Sequence, residues 1–288
     1  MAVSITAPKT AANSPFVKRS TKKLLKYCLS LVPTPYWTRR FPRTNRLERC
    51  KQSVLCELLL KQTGNMVFGG PFSTMKLDET LALAHDPRII LGSYEQEIHD
   101  SINDVICKAP VHVIDIGSAF GYYAVGLALK ILNTQVFAFE AVEDPHWEQL
   151  AELARLNGVN RKIVQRGLCT AHDLAESCAE NSFILSDCEG AEQEILDPLE
   201  IPALRTCRMV IELHEFHRPN LVGTLVSRFK ASHSIRIVDE TQRSSSQYRI
   251  LKMLPRSWRS VATEEVKWIC DPPPMRTTWL RFMLLDPK

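Results

Sequence analysis

A chain of 288 residues with 45% hydrophobic and 24% charged residues is sized for one large domain or two small ones. That composition excludes wholesale disorder, collagen and coiled coil, and no stretch approaches about 18 uninterrupted apolar residues, so no transmembrane helix is expected. The net charge of +4 hides an asymmetry: residues 1–47 carry ten Lys or Arg and no acid, while the other 241 residues hold 26 bases and 32 acids, a net of −6.

In chain order, the basic segment comes first, with Tyr36, Trp37 and Phe41 interleaved among its Lys and Arg. It reads as an organelle transit peptide, as a surface for anionic lipid or nucleic acid, or, most plainly, as a solvated extension with a short helix near 20–31. A secretory signal is disfavoured, because Lys26 interrupts the apolar run from Leu24 to Val32 and no small-residue cleavage site follows. Residues 46–62 place Leu47, Val54, Leu55 and Leu58–Leu60 on one face of an amphipathic helix. Gly64, Gly69, Gly70 and Pro71 mark a turn-rich connection, and residues 93–107 return to helical spacing with Ile98, Ile102, Val105 and Ile106.

From residue 111 strands alternate with helices. The strand-like runs are VHVIDIG, TQVFAFE, KIVQRG, SFILSD, RMVIELHEF, a strand near 234–238 and TTWLRFMLL at 277–285. Between them lie helical stretches at YYAVGLALKIL, PHWEQLAELARLNG, GAEQEILDPL and near 219–231. This alternation argues for a mostly parallel sheet covered on both faces. Nine cysteines, an odd number without CxxC or zinc-ribbon spacing, suggest free thiols in a reducing compartment.

The first strand runs into Asp115-Ile-Gly117-Ser118-Ala-Phe-Gly121. A glycine turn between strand and helix lets backbone N–H groups approach a ligand, at the end of the sheet where open α/β folds bind. The dinucleotide frame GxGxxG fails here, since Ala119 and Tyr122 occupy its later positions. The spacing D-x-G-x-x-x-G instead suits S-adenosylmethionine (SAM), whose ammonium and sulfonium favour a carboxylate. Glu140, closing the second strand, is placed to accept hydrogen bonds from both ribose hydroxyls.

These blocks, with the Asn-Gly of LARLNGV and with LSDCEGAEQEIL, VIELHEF and the earlier LGSYEQEI, resemble the FkbM-type class I SAM-dependent methyltransferases over roughly residues 68–240. The chain departs from that pattern at Ala141-Val142, where many members carry a proline, and 241–276 matches nothing recognisable. The resemblance implies that Asp115, Gly117, Ser118 and Gly121 hold the methionine part of SAM and that Glu140 holds the ribose. It further implies that Tyr94 and Glu95 close over the cofactor and that Asp187 faces the methyl group.

Methyl transfer to an alcohol needs in-line positioning and a base. Two strand ends supply candidates: Asp187, Glu189 and Glu192 after SFILS, and His214, Glu215 and His217 after MVIE. His214 titrates in the right range, with a structural histidine as the competing reading. The ligand types of Asp187, Glu189, Glu212, His214 and His217 would suit a divalent ion, but their spacing is not diagnostic and no metal is expected. The N/D-P-P-Y/F signature of amino-group methylation is absent at Ser186-Asp187-Cys188-Glu189, which favours oxygen methylation.

The expectation is therefore an α/β, Rossmann-like class I methyltransferase fold, with a mostly parallel seven-stranded sheet and helices on both faces. Residues 1–45 form a basic, partly disordered extension, 46–110 a helical lead-in covering the cofactor, and 111–288 the SAM-binding domain. The expected activity is SAM-dependent O-methylation of a small molecule in the cytoplasm, with catalytic Asp187 and His214 and no nucleic-acid partner. The alternative is a catalytically weak protein of the same fold that binds RNA or anionic membrane through residues 1–45. Organelle targeting by that segment stays open.

Overall fold

The computed structural model describes residues 46–142, 145–215, 217–239, 248–259 and 281–288, and the side chains of 46–49 are outside that description. The basic extension, its expected helix near 20–31 and most of 241–276 lie outside the described residues. No helix among the described residues is long and apolar enough to cross a membrane.

Seven strands form one sheet in the order β3-β2-β1-β4-β5-β7-β6. They are β1 (His112–Ile116), β2 (Gln135–Phe139), β3 (Ile163–Arg166), β4 (Phe183–Ser186), β5 (Arg208–Glu212), β6 (His233–Asp239) and β7 (Arg281–Pro287). The first five run parallel, and β7 lies antiparallel between β5 and β6. This is the expected Rossmann-like arrangement, a mostly parallel seven-stranded sheet with helices on both faces.

Among the described residues, the helices that accompany the sheet include α1 (Arg46–Thr63), α2 (Pro87–Leu91), α3 (His99–Lys108), α4 (Tyr122–Lys130), α5 (His146–Leu156), α6 (Ala171–Ser177), α7 (Glu192–Ile195) and α8 (Leu221–Phe229). Alternate strand residues feed two cores, one on each face. Val113, Val136, Phe183, Val210 and Leu284 pack with Leu55 and Leu59 of α1, Ile102 of α3, Leu127 of α4 and Leu150 of α5. Ile114, Ile184, Met209, Ile211 and Leu285 pack with Leu174 of α6, Ile195 of α7 and Leu221, Leu225 and Phe229 of α8. The lead-in is continuous with the first core: Phe72 meets the rings of Tyr122 and Tyr123 edge-on at 5.1 and 5.7 Å.

Several elements differ from the sequence reading. The helix expected over 93–107 starts at His99, because Tyr94–Ile98 forms a tight turn with Glu95 at φ +47° and a 3₁₀ turn at Gln96–Ile98. The helix expected over 190–199 is the single turn α7, flanked by Gly190 at φ +104° and by Pro198. Helix α6, which the sequence reading omitted, begins with a reciprocal capping box between Thr170 and Asp173.

Candidate functional site

The loop after β1 is held against the ends of both neighbouring strands. Gly117 and Ser118 N–H each donate to Phe139 O at 2.9 Å, and Asp187 N–H donates to Ile116 O at 2.8 Å. Gly117 lies at φ +83°, and a Cβ there would sit 1.7 Å from the Asp187 carbonyl oxygen. Glycine is therefore required for the ends of β1 and β4 to meet this closely.

A cavity of about 300 Å³ opens at this junction, in the size range of small-molecule sites. Its wall includes Tyr94, Glu95, Asp115, Gly117, Ser118 and Asp187, six of the nine residues expected at the site from the sequence. The other three sit behind it. Gly121 N–H donates to Ser118 O at 2.8 Å and closes the turn at the start of α4. Glu140 is buried, with one oxygen accepting from Ala119 N–H and the other from Val142 N–H, both at 2.8 Å. His214 is one side chain removed from the wall, its Nε2 3.4 Å from Asp187 Oδ1.

Glu140 thus fixes the loop, and each of its oxygens keeps a second lone pair open to further donors. Glu140→Ala should weaken SAM by about 1.5–3 kcal/mol, the range for hydrogen bonds to charged groups. Calorimetry checks this, and unchanged affinity would remove Glu140 from the cofactor site.

The wall is strongly acidic. Asp115 is 1% exposed and neither of its oxygens has a hydrogen-bond partner of good geometry, the Ala124 N–H offering only a weak one. Burial, then the nearby Asp187 carboxylate, pushes its pKa up to about 8. Burial likewise raises Glu95 to about 7, although Tyr123 donates a hydrogen bond to it. Asp187 and Glu212 hydrogen-bond to each other and are both pushed up, first by burial, so the pair retains a proton. The one cation in the wall, Arg88, is spent on Asp86 at 2.6 Å and stacks over Tyr94 at 5.1 Å. Ser118 Oγ and Tyr122 OH are buried in the same wall without partners.

Behind Asp187 stands a second layer. His214 Nδ1–H donates to the fully buried Glu192 at 3.2 Å, and Cys188 N–H donates to the same oxygen. Burial works against the Glu192 charge, but His214 and the backbone N–H groups hold its pKa below the ordinary value. Burial also works against a charged His214, yet Glu192, Asp187 and Glu189 together raise its pKa. With Nδ1 occupied, Nε2 faces Asp187, Glu189 and Glu212 at 3.4, 3.7 and 3.8 Å.

Ligand atoms of Asp187, Glu212 and His214 lie within 4.8 Å of one another, a donor set a divalent ion could use, although they are far apart in sequence. The sequence reading gave no site role to Arg88, Tyr122 or Tyr123, and set Glu212 aside with the metal reading. Only Glu212 left a legible signal, as the acid closing MVIE on the strand beside SFILSD.

No family model and no curated protein matches the chain. Among solved structures, a protein described as an O-methyltransferase from Klebsiella pneumoniae is 14% identical, with 94% of this chain and 96% of that chain covered, at a TM-score of 0.43. An rRNA methylase from Streptococcus thermophilus is 12% identical, covering 67% of this chain and 97% of that one at 0.42. The O-methyltransferase from Bacillus cereus, solved with SAH, is 11% identical, covering 92% and 97% at 0.41. At these scores the functional reading rests on the site itself.

Proposed function

We propose that this chain is a SAM-dependent methyltransferase of the FkbM type that methylates a hydroxyl of a small molecule. The observation that carries the reading is Asp115: a buried carboxylate whose oxygens have no hydrogen-bond partner of good geometry, in a wall with four further acids (Asp86, Glu95, Asp187 and Glu212) and no unpaired cation. Such a wall calls for a cationic ligand. An amino-acid ammonium meets Asp115, and Glu140 takes the ribose. Ser118 Oγ and Tyr122 OH are unpartnered donors suited to the ligand's carboxylate.

SAM supplies an electrophilic methyl group on sulfonium, and the protein supplies position and a proton acceptor. Asp187, in the wall and sharing a proton with Glu212, takes the acceptor's proton. His214 acts through it, held by Glu192 and stabilising the anionic form of Asp187. The cavity's apolar wall, including Leu83, Ile89, Val210 and Phe282, excludes water around the transfer.

Asp187→Asn should lower turnover about 10²–10⁴-fold, the usual loss for a general base, with SAM affinity changing far less. His214→Asn should lower turnover by less than Asp187→Asn. Single-turnover rates, SAM affinity and melting temperature on both variants decide this. Undiminished turnover in Asp187→Asn would leave positioning as the whole catalytic account.

Incubating the protein with methyl-labelled SAM and a host extract, then identifying the labelled product, tests the activity. Calorimetry with SAM against NAD tests the cofactor, and a label that enters RNA instead of a small molecule overturns the acceptor class. The odd, scattered set of nine cysteines is what supports a reducing location such as the cytoplasm. The alternative, binding RNA or anionic membrane, draws its support from residues 1–45, outside the described residues.

A further inference from the structure

We propose that Cys178 and Cys207 form a dithiol pair that hydrogen peroxide oxidises to an intramolecular disulfide at the rim of the sheet opposite the cavity. Their sulfurs are 3.5 Å apart. Cys178 ends α6, and Cys207 follows the 3₁₀ turn Pro202–Thr206 and leads into β5. Closing to the bond length of about 2.05 Å needs a shift of roughly 1.5 Å, which a side-chain adjustment at partly exposed Cys178 can supply.

The two thiols have unequal surroundings. Cys207 is fully buried, with the carbonyl oxygens of Ala203 and Ala179 at 3.2 and 3.5 Å from its sulfur. These acceptors favour the protonated thiol there. The contact with the Cys207 sulfur at 3.5 Å holds the Cys178 thiol below its ordinary pKa, against the opposing effect of burial. Cys178 is thus the more exposed and the more easily ionised sulfur, the two properties that select the attacking thiol.

The chemistry balances with peroxide as the oxidant. The Cys178 thiolate attacks one peroxide oxygen, the O–O bond breaks, and the departing hydroxide takes up a proton as water. The Cys207 sulfur then attacks the sulfur of the Cys178 sulfenic acid and expels hydroxide, which leaves with the Cys207 proton as a second water. Two thiols and one hydrogen peroxide give one disulfide and two waters.

The bond closes a loop from 178 to 207 that contains β4, Asp187 and α7. Constraining that loop in the unfolded chain should raise the melting temperature by about 5–10 °C. The cysteines sit at the starts of β4 and β5, whereas the cavity lies at their ends, so SAM affinity should stay unchanged.

The test treats the reduced full chain with stoichiometric hydrogen peroxide and maps its peptides without reductant. The expected result is a cross-linked pair holding Cys178 and Cys207, two hydrogens lighter, with the higher melting temperature reversed by dithiothreitol. Cys178→Ser should abolish the cross-link, and Cys207→Ser should leave a Cys178 sulfenic acid that a dimedone probe captures. The proposal is overturned if Cys207 stays alkylatable after denaturation while Cys178 is oxidised, if Cys178 cross-links to the exposed Cys50 or Cys107, or if neither sulfur reacts.

Discussion

Asp115→Asn should weaken SAM binding by about 2–5 kcal/mol, the cost of removing one member of a buried charge pair. With a pKa of about 8, the Asp115 carboxyl of the ligand-free protein is protonated at neutral pH, so binding an ammonium expels a proton. Affinity should therefore tighten as pH rises towards about 8, where an α-amino group itself begins to lose its proton. The Asn variant should lack that slope.

Stability should move the other way. A carboxyl whose pKa is raised on folding stabilises the fold fully below its unfolded pKa of about 3.9, and this contribution is lost as pH climbs through about 8. At pH 8 the ligand-free Asn variant should melt roughly 5 °C above the parent. Calorimetry at several pH values and thermal melts without ligand measure both effects. An Asn variant that binds SAM as tightly as the parent would show that Asp115 is not the ammonium partner.

Gly117→Ala should be the most damaging single-methyl change in the chain. The new Cβ would overlap the Asp187 carbonyl at 1.7 Å, in a left-handed conformation that alanine already disfavours. Losses of about 4–5 kcal/mol follow when a close contact and backbone strain combine, or roughly 10 °C in melting temperature. The control is Gly158→Ala: its φ is +70° but nothing lies within 4 Å of the added carbon, so it should cost only about 1 kcal/mol. Equal melting temperatures for the two variants would show that the Gly117 contact relaxes freely.

The sheet and the glycine turn were legible in the sequence because their signals are local. Strand alternation, the D-x-G-x-x-x-G spacing and the acids closing VFAFE and SFILSD each depend on neighbours along the chain. The positions of Glu140 and His214 relative to the cavity were not legible. Its place at a strand end marks Glu140 as a ligand contact, yet it also staples the loop through Ala119 and Val142 N–H. The end of MVIELH places His214 at the reacting rim, yet Glu192 draws it back so that Asp187 stands in front. Arg88 joins the wall through α2, a five-residue helix too short to show a period. Such placements depend on contacts between residues distant in sequence.

The position of β7 bears on the order of assembly. Its residues, 281–287, follow β6 in the chain but enter the sheet between β5 and β6. During synthesis the five parallel strands can associate in sequence order, while β6 has no sheet neighbour until β7 emerges. In that interval β5 presents an open edge that includes Val210 and Ile211, both nearly fully buried once β7 arrives. Unpaired apolar edges invite pairing with other chains. A nascent chain halted before residue 281 would be a candidate for chaperone retention, and slow translation after β6 would lengthen the vulnerable period.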